Sequence, residues 1–404
     1  MIFILITVLI DVMGIGIIMP VMPSLIMELT GEGISRAAVY GGWLGFAYAI
    51  TQFSFAPVLG GLSDRFGRRP VLLYAVGSLG LDYIIMGVAP TIAWLFFGRL
   101  IAGIAGASFT PAYAYIADIS PPEKRAQNFG MIGAAFGLGF ILGPAMGGLL
   151  AEFGPRAPFF AAAALSLINF LYGFFVLPET LPPSRRRAFQ WRRANPVGTL
   201  VRMRQHPEVF ALLGALFLWA VANQVFPATW AYFTMYRFGW SEALVGGSLA
   251  FVGMIIAIGQ GTLPRVVVPR LGEYRAALLA VAAGTTGYAS YAIAPQGWMM
   301  FAIMFTWLLG ALAMPSIQAL MSHRIEAEAQ GELQGAVASL QSMAAIIAPP
   351  VMTQLFRYFT ADGAPIHLPG AAFVFASLLA AGSFVILATR GRPAAHRAAS
   401  APVP

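Results

Sequence analysis

Apolar stretches follow one another from residue 3 to residue 389, each about 20 residues long, the length a helix needs to cross the ~30 Å hydrocarbon core of a bilayer. They lie near residues 3–23, 40–61, 71–89, 93–117, 129–150, 158–177, 209–232, 243–263, 276–294, 299–321, 334–356 and 370–389. With 59% apolar and 10% charged residues the chain could not cover a water-facing surface. The expected architecture is an all-α membrane protein of twelve transmembrane helices. The first stretch has no basic leader and no small-residue cleavage site and carries Asp11, so it reads as a span and not a signal peptide.

Basic residues set the orientation. Of the 24 Lys and Arg residues, Arg36, Arg156, Arg237 and Arg357 fall at one membrane face and Arg99 lies inside a span. All the others fall at the opposite face. The positive-inside rule makes that face cytoplasmic, with both termini there. The net charge of +8 is therefore a topology signal with some attraction for anionic membrane lipids, and no nucleic-acid partner is expected. Cysteine is absent, which excludes disulfides and thiolate chemistry. His206, His323, His367 and His396 lie far apart, so no resident metal or cofactor is expected. No catalytic constellation suggests an enzyme, and no extramembrane segment is long enough for a receptor's sensor domain.

A Pro- and Arg-rich stretch divides the chain into a bundle at 1–177, a cytoplasmic linker at 178–208, a second bundle at 209–389 and a tail at 390–404. The halves match at an offset near 205. Gly41-Gly42 falls opposite Gly246-Gly247, Arg65-Phe66-Gly67 opposite Arg270-Leu271-Gly272, and Pro111, Gly130 and Pro144 opposite Pro315, Gly335 and Pro349. Two repeated six-helix bundles suggest alternating access, with substrate near the midplane.

The loop between spans two and three reads Gly60-Gly61-Leu62-Ser63-Asp64-Arg65-Phe66-Gly67-Arg68-Arg69-Pro70. Gly61 permits close packing at a helix end and Gly67 a tight turn. Asp64, Arg65 and Arg68 can pair in one conformational state and bias the equilibrium between states. Arg69 extends the basic cluster, and Asp118, ending span four at the same face, either pairs with Arg68 or stands in solvent. In span five, Gly139, Gly143, Pro144, Gly147 and Gly148 form a small-residue face on which helix backbones approach closely.

Three ionisable residues lie within first-half spans: Asp11, Asp82 and Arg99. At 1.5 Å per residue, Asp11 is ~15 Å deep from the cytoplasmic side and Asp82 and Arg99 roughly 10–12 Å from the outer edge. A charge there costs at least ~2.5–3.5 kcal/mol, so such residues pair or carry function. Asp82 and Arg99 could form a structural ion pair. Asp11 has no obvious partner and is favoured as a proton-titrating carboxylate or a substrate contact. Polar and aromatic span residues that could line a cavity include Tyr48, Gln52, Tyr113, Asn223, Gln224, Phe226, Trp230 and Gln341.

The loop string resembles the signature of the major facilitator superfamily, and the span-five string resembles the motif of its drug/proton antiporters, which points to efflux. Leu9-Ile10-Asp11-Val12-Met13-Gly14, Ser63-Asp64-Arg65-Phe66-Gly67-Arg68-Arg69-Pro70, Leu81-Asp82-Tyr83, Gly98-Arg99-Leu100, Arg237-Phe238-Gly239-Trp240 and Gly331-Glu332-Leu333-Gln334-Gly335 resemble tetracycline/proton antiporters. The resemblance implies the major facilitator fold, with twelve helices in two pseudo-symmetric bundles. It implies a monomer in the bacterial inner membrane that exports a tetracycline–metal complex in exchange for a proton. It assigns Asp11, Asp82 and Arg99 to the essential intramembrane charges, Arg68 and Asp118 to a cytoplasmic gate pair, and Gln52 to the cavity. The second half departs: Ile256 and Gly284 stand where relatives of the best-known class carry a histidine and an aspartate. No acidic residue lies within a second-half span, so coupling rests on Asp11 and Asp82. Export of another amphiphilic drug, or transport of a sugar or siderophore, stays open.

Overall fold

The structure is a computed structural model describing residues 2–106, 109–121, 124–187, 203–326 and 329–392. Residues 188–202 of the expected linker and 393–404 of the tail lie outside these residues. The described chain divides into two compact units, one made of 1–195 with 230–253, the other of 196–229 with 254–404.

In the first unit, α1 (Ile2–Ile18) breaks before α2 (Met22–Thr30) with a bend of 47°. Pro20 and Pro23 bracket the break, where a missing N–H and a fixed φ end the first helix and start the second. Then come α3 (Ile34–Phe66), α4 (Arg68–Val88), α5 (Ile92–Gly106), α6 (Phe109–Ile119), α7 (Arg125–Leu150) and α8 (Ala157–Val176). Helices α1, α4, α6 and α7 meet around Ile4, Val8, Val12, Leu72, Ile116 and Ile132. Many large apolar side chains instead face outward, among them Phe97, Leu142, Ile168 and Phe175, as expected where lipid is the solvent.

Next come α9 (Pro207–Asn223), α10 (Val225–Phe238), α11 (Glu242–Ile293), α12 (Gly297–Met304), α13 (Thr306–Gly310), α14 (Ala313–Ser322), α15 (Gln330–Thr360) and α16 (Ala371–Arg390), all in the second unit except residues 230–253 of α10 and α11. Helix α11 runs for 52 residues, far more than one crossing needs, and Gly272 at φ 73° interrupts it. The matching turn of the first half is Gly67 at φ 108° between α3 and α4. Both follow an arginine by two residues, so the repeat in sequence is a repeat of one left-handed turn that glycine adopts without strain. Counting α11 twice, and α1–α2, α5–α6, α9–α10 and α12–α14 as one span each, the described helices make the twelve crossings expected.

Candidate functional site

The first unit holds a buried ionic centre. Asp82 on α4 has no exposed surface and receives the Arg99 guanidinium of α5. Gly98 makes the contact possible: a Cβ there would lie 2.5 Å from Asp82 Oδ1 and 3.2 Å from Met86 Cγ. One residue leaves room for the carboxylate and the next neutralises it. The Arg99 guanidinium carbon also stands 5.8 Å from the centre of the Tyr48 ring, an arrangement in which the ring face attracts the cation. Tyr48 Oη and the Gly106 carbonyl accept hydrogen bonds from Gln52 Nε2 at 3.1 and 3.0 Å, tying α3 to α5. Asp11, also buried, stands apart from this pair. Its side-chain hydrogen bond comes from Asn169 on α8, whose Nδ2 lies 3.0 Å away.

At the arginine-bearing end of the unit, Arg68 is the hub. Its Nη1 donates to Asp64 Oδ1 at 2.6 Å and Ser63 Oγ at 3.1 Å, and its Nε to Asp118 Oδ2 at 3.0 Å. The guanidinium fork thus joins the end of α3, the start of α4 and the end of α6. Gly61 lies on the last turns of α3. Arg65 stands outside the network, over the Phe66 ring, and Arg69 reaches the Phe174 carbonyl and stacks over that ring. Glu179, which follows α8, caps α4: Oε1 accepts the Arg68 N–H at 2.9 Å and Oε2 the Arg69 N–H at 3.3 Å. An anion there satisfies two amides that the helix start leaves unpaired and complements the helix dipole. The space Glu179 uses is the space a side chain at position 67 would fill. Arg187 N–H donates to the Asp64 carbonyl at 3.0 Å, and Tyr115 Oη to the Pro178 carbonyl at 3.1 Å.

The span-five motif is a backbone contact. A Cβ on Gly139 would lie 2.8 Å from Val12 Cβ, and one on Gly143 would lie 2.7 Å from the Met13 carbonyl oxygen. A Cβ on Gly147 would overlap the Ile17 backbone, and one on Gly148 would reach the Glu242 carbonyl oxygen at 2.6 Å. Helix α7 therefore lies directly against the α1 segment that carries Asp11, and Pro144 packs on Gly16 within that contact.

In the second unit a cavity of about 390 Å³ is lined by Trp219, Asn223 and Gln224 from α9 and its end, Ile256 and Gln260 from α11, Trp307 and Met314, and Gln341 from α15. Its lining carries amides, indoles and a thioether and no ionisable group. Gly284 lies behind it: a Cβ there would meet the Trp219 ring, with Cζ3 at 2.8 Å. The indole thus fills the volume beside Gly284. Of the residues proposed for the cavity, Asn223, Gln224 and Gln341 line this space. Phe226 packs behind it, 5.1 Å from Trp307 and 5.8 Å from Tyr288 between ring centres. Trp230 lies in the first unit, buried, donating its indole N–H to Ser248 Oγ at 2.9 Å. Tyr113 is exposed on α6.

The Major Facilitator Superfamily profile matches residues 4–349. The chain is 41% identical to the tetracycline resistance protein, class C, of Escherichia coli over 88% of its own length and 89% of that protein's. It is 35% identical to the class B protein of Escherichia coli over 88% of each. The chain belongs to the tetracycline resistance proteins of the Major Facilitator Superfamily. Among solved structures, the nucleoside transporter NupG superposes with a TM-score of 0.73 at 16% identity, over 96% of this chain and 98% of that one. The human organic anion transporter MFSD10 superposes at 0.71 and 24% identity, over 95% and 98%. At such identities these two share the fold alone. The chain is thus a multi-pass membrane transporter of small molecules.

Sequence reading missed Asn169, Glu179, Ser63, Trp219, Trp307 and Gln260. Asn169 carried a usable signal, being the one amide within span six. Gln260 carried the same signal in span eight. Nothing in the sequence marks Trp219 as the occupant of the space beside Gly284.

Proposed function

We propose that this transporter exports tetracycline, or a related amphiphilic drug, as its divalent-metal chelate, in exchange for a proton. It works by alternating access in a bacterial inner membrane, with both termini and the Arg68 network cytoplasmic. The observation that carries the reading is the buried centre of α1, α4 and α5. Two carboxylates are buried, one neutralised by an arginine and one bonded to an amide, with no ion pair among the described residues. A carboxylate without a cation partner in such a place is a group that can take up and release a proton, as exchange requires. An uncoupled facilitator needs no such pair. The overlap with tetracycline resistance proteins across most of the chain supports the substrate. The distribution of arginines supports the sidedness.

The Arg68 network joins three helix ends of the first unit at that face. A bond made in one state and lost in the other biases the equilibrium between states, and these bonds supply the groups for it. The uncharged second-unit cavity favours a second reading, export of an amphiphile other than tetracycline. Drug susceptibility of an efflux-deficient bacterial host carrying the chain separates the two. Raised resistance to tetracyclines is the expected result. Unchanged tetracycline susceptibility beside resistance to another amphiphile overturns the substrate and leaves the exporter standing.

A further inference from the structure

Asn169 is 1% exposed, on the face of α8 that meets α1. An amide costs free energy in so dry a place unless its groups are bonded. Its Nδ2 donates twice, to the Thr7 carbonyl oxygen and to Asp11 Oδ1, each at 3.0 Å. The Thr7 carbonyl can only accept, so the NH₂ end and not the oxygen must face this turn. The amide therefore bridges one turn of α1, clamping the carboxylate of residue 11 to the carbonyl of residue 7. Its own Oδ1 is buried with no hydrogen-bond partner among the described residues. A side chain that served packing alone would not leave a buried acceptor empty while committing both N–H groups to one turn of a neighbouring helix.

Among the described residues, Asn169 supplies the hydrogen bond to the Asp11 side chain. Helix α7 brings no titratable group between Gly130 and Leu150, and α8 only Tyr172. From α6 come Tyr113, Tyr115 and Asp118, the last taken by Arg68. Tyr83 on α4 packs against Gly14 of α1 and Tyr48 on α3 lies under Arg99, whose charge is matched by Asp82. Among the described residues Asp11 makes no ion pair.

We propose that Asn169 is the positioning residue of the coupling carboxylate: its N–H orients Asp11 and sets how readily Asp11 gives up its proton. This rests on the antiport reading above. A donor to a carboxylate favours the ionised form, so removing it makes release of the proton harder. The acid limb of the transport–pH profile should then move to higher pH by about one unit, a tenfold change in proton concentration or ~1.4 kcal/mol.

The test uses the full chain in inverted vesicles with tetracycline and Mg²⁺ under an imposed pH gradient, comparing wild type with Asn169→Leu and Asn169→Ser. The expected result is the alkaline shift in both variants, with KM for the drug within about twofold of wild type, since binding free energy then changes by less than ~0.5 kcal/mol. An unmoved profile in either variant that reaches the membrane overturns the proposal. Infrared titration of the Asp11 carboxyl band, assigned by its loss in Asp11→Asn, gives a readout independent of transport. The band should titrate about one pH unit higher in the variants, the same ~1.4 kcal/mol. If neither variant folds, the wild-type band decides: a carbonyl frequency of a hydrogen-bonded acid supports the clamp, and that of a free acid refutes it. If wild type takes up no drug, the antiport reading fails, while the infrared titration still decides the role of Asn169.

Discussion

Replacing Gly143 by alanine tests the contact between α1 and α7 at a known distance. The added Cβ would sit 2.7 Å from the Met13 carbonyl oxygen and 2.9 Å from Gly16 Cα. Comfortable contact between carbon atoms begins near ~3.5 Å, so the helices must part by roughly 0.6–0.8 Å or bend. Neither neighbour is the tip of a flexible side chain; both are backbone. Overpacking of this kind costs ~1–3 kcal/mol, of which the better helix propensity of alanine returns at most ~1 kcal/mol. Gly143→Ala should therefore lower stability by ~1–2 kcal/mol, and Gly147→Ala, whose Cβ would overlap Ile17, by more. The same helix supplies its controls. Gly133 and Gly137 have nothing within 4 Å of a built Cβ, so Gly133→Ala and Gly137→Ala should be neutral or slightly stabilising. Thermal unfolding of the four variants in detergent gives the ranking. Transport should follow it, because parting α1 from α7 displaces the turn that holds Asp11. Equal melting of all four variants would show that the motif does not act through backbone contact.

Arg68→Lys should cut transport at least tenfold, because one ammonium cannot serve Asp64, Ser63 and Asp118 together, a loss of ~1.4 kcal/mol or more. Arg65→Lys, outside that network, should change it little in the same vesicle assay. Glu179→Ala should speed amide exchange at Arg68 and Arg69 by about tenfold, the value of a ~1.4 kcal/mol cap, as read by hydrogen–deuterium exchange; unchanged exchange would remove Glu179 from the network. Gly284→Ala should push the Trp219 indole into the second-unit cavity and raise KM for the exported drug several-fold, equivalent to ~1 kcal/mol. An unchanged KM would mean the substrate does not use that cavity.

The fold was legible because its two strongest signals are physical necessities. Lipid demands long apolar helices, and the turn at Gly67 and Gly272 demands glycine in both halves. The Arg68–Asp118 contact was one of two equal readings of Asp118, since a helix-end charge beside a basic loop has solvent as an alternative partner. Asp82 and Arg99 could be foreseen as a pair because two opposite charges at one depth have few other partners. Asp11 was seen and its partner was not. Its partner is neutral, and an asparagine among leucines and phenylalanines announces itself less than a charge does. Glu179 was hidden for a different reason: a cap formed across 111 residues of sequence leaves no local pattern. Trp230 and Phe226 read as cavity residues from type and depth, yet one is bonded inside the first unit and the other buttresses Trp307. Which face of a span an aromatic occupies depends on neighbours that a single helix does not reveal. The absence of charge at Ile256 and Gly284 was legible in the sequence, and only packing shows that the Trp219 indole occupies the space beside Gly284.

The most direct test measures drug and protons together. Inverted vesicles containing the wild-type chain are given tetracycline and Mg²⁺, and drug uptake and proton efflux are followed in the same sample. The expected result is uptake driven by an imposed pH gradient, proton movement in fixed ratio to drug, and loss of both in Asp11→Asn and in Asp82→Asn at normal membrane abundance. Arg99→Ala strands the buried Asp82 charge, which costs ~3–5 kcal/mol, and should lower abundance as well as transport. Tetracycline uptake that continues in both aspartate variants, or that moves no protons in wild type, would contradict the coupling of export to the buried carboxylates.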